Sequence, residues 1–177
     1  MKIMNKLFIP FLFLILTFSC KSSNDPEVVY ADWNLKNKQY FNQMKDSTDY
    51  VLYQIPASRG GGSFYYKTLK NGNQPIDSLS DYTVVNIVCR AQLINGVIFA
   101  NTFQGNSILS ADTTNSYNQQ VAFFVKGFTE NLRQMKVGEV RKFVLPQELS
   151  YKDLRDDKVI PPYSVTIWEI KLNAYFN

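Results

Sequence analysis

The chain has 177 residues, with 19 Lys and Arg against 15 Asp and Glu, a net charge of +4 and no histidine. So small an excess of positive charge does not point to nucleic acid as a partner. Without histidine, Ser-His-Asp and Cys-His nucleophilic arrangements and the commonest zinc ligand are excluded, so no metal and no other cofactor is expected.

At the N-terminus Lys2 and Lys6 precede an apolar run from Leu7 to Phe18 and then Ser19-Cys20, the order of charged, apolar and small residues in a secretory signal. The run is shorter than the roughly 20 residues a membrane-spanning helix needs. Cys20 directly after Ser19 resembles a bacterial lipobox, which implies cleavage before Cys20 and a lipid on its thiol. Residues 1–19 are then a signal peptide and 20–28 a lipidated tether. The chain would sit in the cell envelope, on the outer membrane, facing the periplasm or the surface, and meet the membrane through that lipid. An uncleaved anchor or a buried N-terminal helix is the alternative, against which the polar segment Lys21–Glu27 stands. Cleavage removes two lysines and no acid, lowering the net charge from +4 to +2. With Cys20 lipidated, Cys89 has no cysteine to pair with, and the fold is held without disulfides. Residues 20–177 suffice for one domain.

From Val29 to Asp46, Trp33, Tyr40 and Met44 recur near helical spacing with Val29 and Phe41 beside them, which predicts one amphipathic helix. Its aromatic face is expected to dock on its own domain or on a twin subunit, a homodimer or an envelope partner protein being the functional alternative. Gly60-Gly61-Gly62 reads as a flexible linker, because no Lys-Ser or Lys-Thr follows to make a phosphate loop. Residues 29–62 are therefore a helical extension and linker, and 63–177 the main domain. Ser63–Leu69 reads as a strand closed by Asn71-Gly72. Tyr82–Leu93, nearly continuous in Val and Ile, predicts a strand buried on both faces or bent across a core, turning at Asn95-Gly96 into Val97–Phe99. Asn101–Gln120 is polar and reads as a long surface loop. A strand over Val121–Val125 then leads to Gly127, and Phe128, Leu132 and Met135 mark the buried face of a short helix that stops at Gly138. Strands over Val140–Leu145 and Ser164–Leu172 complete an α+β set, a bent antiparallel sheet wrapped around one short helix. Cys89 reads as a small core residue, with adjacent Arg90 on the opposite face, and Asp153, Asp156 and Asp157 as a solvated loop surface.

The stretch from Phe123 to Leu172 carries a more specific signal. It reads Val125-Lys126-Gly127-Phe128-Thr129-Glu130-Asn131-Leu132, Met135, Gly138-Glu139, then Leu145-Pro146-Gln147-Glu148-Leu149-Ser150-Tyr151-Lys152, then Ile160-Pro161-Pro162 running on to Leu172. This resembles the C-terminal half of an FKBP-type peptidyl-prolyl cis-trans isomerase, whose wording is approximately V-I-x-G-W-x-E-x-L-x-x-M-x-x-G-E, then I-P-x-x-L-A-Y-G, then I-P-P-x-x-x-L-x-F-x-V-E-L. The resemblance implies an FKBP-like fold with an N-terminal helical extension. It implies proline-containing polypeptide segments as partners and an apolar pocket from Phe99, Phe124, Val125, Phe128, Tyr151, Ile160 and Trp168. Tyr151, Phe99 and Phe128 are the expected catalytic residues, with the Tyr151 hydroxyl bonding a ligand carbonyl.

Phe128 stands where the family commonly has Trp and Trp168 where it has Phe, and three further positions depart from that pattern. Ala100 stands where the family places an Asp after the Phe, Cys89 where a Tyr is common, and Lys152 where a Gly follows the Tyr. Two orienting groups are lost from one wall, each bond to a charged group contributing about 1.5–3 kcal/mol. Two functions therefore stay open: a lipid-anchored isomerase, or a catalytically weak binding, chaperone or structural module with the pocket retained.

Overall fold

A computed structural model describes residues 25–111, 115–152 and 159–177. The signal peptide, Cys20 and the acidic trio Asp153, Asp156 and Asp157 lie outside the described residues.

The described chain opens with a one-turn helix, α1 (Pro26–Val29), then α2 (Ala31–Gln43), and the 3-10 turn Met44–Asp46. One continuous helix over Val29–Asp46 was expected; instead the helix breaks at Tyr30, and Val29 is 58% exposed. The aromatic face does dock on its own domain: Phe41 meets Tyr65 edge-on at 5.2 Å, and Trp33 Nε1 donates to Ser164 Oγ at 2.9 Å.

Strand β1 (Val51–Gln54) follows, paired antiparallel with β2 (Ser63–Lys70). Gly60-Gly61-Gly62 thus belongs to the connection of a hairpin, with Ile55 N–H donating to the Gly62 carbonyl at 2.8 Å, rather than to a flexible linker. All three glycines have φ between +60° and +100°, a region other residues enter at a cost. β1 escaped the sequence reading because Val51, Leu52 and Gln54 are exposed and show no alternating buried face. Asn71-Gly72 follows the end of β2 at Lys70, as expected. A Cβ on Gly72 would lie 2.6 Å from the Val137 carbonyl, so the glycine permits backbone contact between the short strands β3 (Gln74–Pro75) and β7 (Lys136–Val137).

Strand β4 (Val84–Leu93) is paired along its length with the C-terminal strand β9 (Thr166–Phe176). Its other edge is shared by β5 (Ile98–Asn101), reached through the Asn95-Gly96 turn, and β6 (Tyr117–Gln120). The expected surface loop Asn101–Gln120 therefore contains a strand, and it also buries Phe103 and Ile108. Val121–Phe123, expected as a strand, is a 3-10 turn with Phe123 74% exposed. Pairing comes one step earlier because it depends on backbone groups, and polar Asn118 satisfies its side chain on Asn86 across the strands at 2.8 Å.

Helix α3 (Lys126–Leu132), β8 (Val140–Leu145) and β9 follow, and the sheet order is β1-β2-β8-β9-β4-β5 with β6 beside β4. All pairs are antiparallel, and register shifts at Thr68/Lys70, Asn86/Ile87 and Ala91/Gln92 bend the ladder. Alternation puts Val85, Ile87, Cys89 and Ala91 of β4, Phe143 and Leu145 of β8, and Trp168, Ile170 and Leu172 of β9 on one cluster with Phe128 and Leu132 of α3. Val88 joins Phe103, Ile108 and Ala111, while Val144 and Ile167 pack with Tyr65 against Tyr40, Phe41 and Met44. A bent antiparallel sheet with its helix on one face and the N-terminal helix packed elsewhere is the FKBP-like α+β fold.

Candidate functional site

The helix reaches the sheet closely because residue 127 has no side chain. A Cβ on Gly127 would lie 2.6 Å from Leu145 Cδ2 and 2.9 Å from the Leu149 carbonyl. That approach drives the adjacent Phe128 ring into the sheet, where it meets Trp168 at 5.0 Å and Phe143 at 5.5 Å, both edge-on, and stacks on Phe124 at 4.3 Å. Phe143 and Trp168 are register partners on β8 and β9, with their rings parallel at 6.3 Å. Such offset and edge-on contacts are the favoured aromatic geometries.

The opposite wall depends on a bulge. Pairing passes from Ala91↔Ala100 to Gln92↔Ile98, which makes Phe99 the extra residue of β5. Two consecutive residues, Phe99 and Ala100, consequently pack on the same cluster, where a regular strand would send them to opposite faces. Phe99 meets Trp168 at 5.5 Å and Tyr151 at 6.0 Å, in both cases edge-on. The result is a bowl of rings: Phe128 and Trp168 form a buried floor, 0% and 6% exposed, under half-buried Phe99, Phe124, Val125 and Tyr151.

Of the nine pocket residues expected from sequence, Phe99, Ala100, Phe124, Val125, Phe128, Tyr151, Trp168 and Cys89 share this cluster. Ile160 is buried as well, but among the described residues it falls outside the cluster. A cleft of about 500 Å³ lies elsewhere, between α2 and the Pro146–Leu149 segment, and contains none of these rings. The rings converge on one apolar cluster, and because apolar and aromatic lining is what characterises ligand pockets they are the candidate site in place of that open cleft.

Polar groups at the bowl are few. Trp168 Nε1 donates inward to Thr166 Oγ1 at 3.0 Å, and Thr166 Oγ1 lies 2.8 Å from Ser150 Oγ, so the indole N–H is committed to the protein. Lys152 has φ +55°, so a lysine holds the left-handed conformation that glycine adopts freely, with its N–H donating to the Gln147 carbonyl at 3.0 Å.

Sequence reasoning missed Tyr117, which it left in the polar loop. Register opposite Ile87 turns this residue onto the cluster, and its hydroxyl lies 3.8 Å from Cys89 Sγ. The small Cys89 leaves room for a phenol arriving from the neighbouring strand. The signal available was that Tyr117 and Phe103 are the two aromatics in that polar run.

Burial pushes the Cys89 thiol up, offset in part by hydrogen bonds from Tyr117 and Thr102. Burial, then the neighbouring Cys89 and Tyr151, also raise the Tyr117 phenol. A thiol whose pKa is raised and whose residue is 1% exposed has little thiolate at pH 8. In a Cys20→Ser protein, Cys89 is expected to react with Ellman's reagent at least about 100-fold more slowly when folded than in denaturant. Comparable rates in the two states would show an open, reactive thiol.

A family model described as FKBP-type peptidyl-prolyl cis-trans isomerase matches residues 77–173. The sequence matches none of the curated proteins. Among solved structures, FkpA from Escherichia coli is similar with a TM-score of 0.65 and 21% identity, over 85% of this chain and 62% of that one. This chain thus spans less than two thirds of FkpA. A peptidyl-prolyl cis-trans isomerase from Pseudomonas syringae pv. tomato is similar with a TM-score of 0.66 and 16% identity, over 84% and 96% of the two chains. A structure of the three FKBP domains of wheat FKBP73 gives a TM-score of 0.53 and 18% identity, over 72% and 51%. The structural likenesses establish the fold, and the family match covers more than half of the sequence, including β4, the bulge of β5, α3 and most of β9. The chain belongs to the FKBP-type peptidyl-prolyl cis-trans isomerase family.

Proposed function

We propose that the bowl of Phe99, Phe124, Phe128, Tyr151 and Trp168 binds proline-containing polypeptide segments and speeds their cis-trans isomerisation. The observation that carries this reading is the convergence of those five rings on one apolar cluster. Isomerisation needs neither a nucleophile nor a metal. Its barrier of about 18–20 kcal/mol is the amide resonance lost when the C–N bond twists. An apolar, water-poor surface favours the twisted amide, which is less conjugated and less solvated, over either planar form. Half-buried Tyr151 on the rim is the group assigned to the substrate carbonyl. The test is proline-limited refolding of an unfolded client: the protein accelerates the slow phase, and no acceleration would remove the enzymatic reading.

Ala100 favours a second reading, a binding module with weak catalysis, because that wall lacks the carboxylate the resemblance implies and carries its phenol on Tyr117 instead of at position 89. Ala100→Asp distinguishes the two. If the carboxylate limits the rate, the variant raises kcat/KM on a proline peptide about tenfold, the lower end of what a hydrogen bond to a charged group contributes. An unchanged kcat/KM in a folded variant would place the limitation elsewhere.

The envelope setting is part of the proposal, supported by Lys2, Lys6, the Leu7–Phe18 run and Cys20. Cells fed labelled palmitate are expected to label the wild-type chain and not Cys20→Ser. Equal labelling would sink the anchor. Exposed Val28, Val29 and Leu35 on α1 and α2 support a homodimer or envelope partner, and a monomeric mass in detergent extracts without co-purifying protein would argue against it.

A further inference from the structure

Asn37 is the one fully buried residue of α2, 1% exposed in the second turn of a helix whose other side chains are all at least partly exposed. An amide buried there is disfavoured unless it is bonded. Asn37 Nδ2 donates to the Trp33 carbonyl at 2.7 Å, and Asn37 Oδ1 accepts from Val165 N–H at 2.7 Å. One turn earlier, Trp33 Nε1 donates to Ser164 Oγ at 2.9 Å, and Ser164 Oγ donates to the Pro161 carbonyl at 2.6 Å. Two adjacent residues, Ser164 and Val165, are therefore gripped by the helix, immediately after Tyr163, whose φ of +66° lies in the left-handed region. A non-glycine residue persists there when its surroundings over-determine it.

The next residue links this grip to the bowl. Thr166, 0% exposed, accepts from the Trp168 indole N–H at 3.0 Å and lies 2.8 Å from Ser150 Oγ, beside Tyr151. We propose that α2 is a positioning element of the bowl: Asn37 and Trp33 fix Ser164–Thr166, and Thr166 in turn sets the plane of the Trp168 indole on the floor and the seat of Ser150 under Tyr151. The N-terminal helix then belongs to the working domain, and loosening it changes how the bowl meets its ligand. The kinetic part rests on the proposed function. The coupling itself does not, because it can be read at the indole.

The chain has two tryptophans, so isotope-labelled protein gives two indole N–H resonances, assigned by Trp33→Phe. In Asn37→Ala the Trp168 resonance is expected to move and its hydrogen exchange to quicken about tenfold or more, while the amides of Val85 and Ile170 at the sheet centre keep their protection. Trp33→Phe, which removes only one donor, moves the same resonance and serves if Asn37→Ala does not fold. Lys36→Ala, on the exposed face of α2, leaves it in place. In the refolding assay kcat/KM falls about fivefold in Asn37→Ala and is unchanged in Lys36→Ala. A Trp168 resonance with wild-type position and exchange in both Asn37→Ala and Trp33→Phe overturns the proposal. If the indole moves while the wild-type protein shows no isomerase activity, the coupling stands and the isomerase reading falls.

Discussion

Phe128→Ala is expected to lower the unfolding free energy by about 3–5 kcal/mol, the range for emptying a buried aromatic site. Phe128 is 0% exposed and its ring touches three others, Phe124, Phe143 and Trp168. Truncation therefore removes apolar burial and three ring contacts together, and it opens a cavity between the helix and the sheet. Phe124, half-buried and stacked on Phe128, can lean into that cavity, and if it does the cost moves to the lower end of the range. Because Phe128 also forms the floor, binding of a proline peptide is expected to weaken in the same variant. Urea denaturation followed by tryptophan fluorescence measures the first effect, and a loss below about 1 kcal/mol would mean that Phe128 is not the packing centre of the core.

Arg141→Leu is expected to cost a similar amount, about 3–5 kcal/mol, for a different reason. Arg141 and Glu139 are each 4% exposed and form an ion pair at 2.6 Å. The guanidinium also donates to the Gln134 carbonyl and to Asn131 Oδ1, just past and within α3, and lies over the Tyr66 ring. Deleting the cation leaves the Glu139 carboxylate in a dry site with donors only from Thr68 Oγ1 and Lys136 N–H among the described residues. The cost comes mainly from that stranded charge, so Arg141→Leu combined with Glu139→Gln should be milder than Arg141→Leu alone. Denaturation of the two variants side by side checks this. A double variant less stable than the single one would assign the role of Arg141 to its contacts instead.

Much of the site was legible because local sequence and tertiary role coincide there. Gly127-Phe128 needs both a missing Cβ and a large ring at adjacent positions, and few other contexts require that pair. β9 alternates from Trp168 to Leu172, and β4 buries Val85, Ile87, Cys89, Ala91 and Leu93 at every second position, with Val88 buried on its other face. Residues whose placement depends on a partner strand were not legible. Tyr117 lies among Ser, Asn and Gln, and nothing local distinguishes it from a loop aromatic until β6 pairs with β4. Val121–Val125 shows the converse: an apolar run that reads as a strand but opens with a 3-10 turn over Val121–Phe123, where the pairing with β4 has ended at Gln120.

By itself, then, the sequence determined the class of fold, a short helix after Gly127, expected to run to Gly138 but ending at Leu132, and the principal strands, since these follow from residue type and short-range period, whereas the pocket rings were implied by the resemblance of Phe123–Leu172 to the family. The departures at Cys89 and Ala100 rest on that same resemblance. Only the tertiary structure decided that Phe99 and Ala100 face the same way, that Tyr117 stands above Cys89, and that Asn37 reaches Val165. Each of these depends on register: a bulge, a strand pairing and a helix docked more than a hundred residues away in sequence. Register is set by how long-range hydrogen bonds close, and no window along the chain contains both partners.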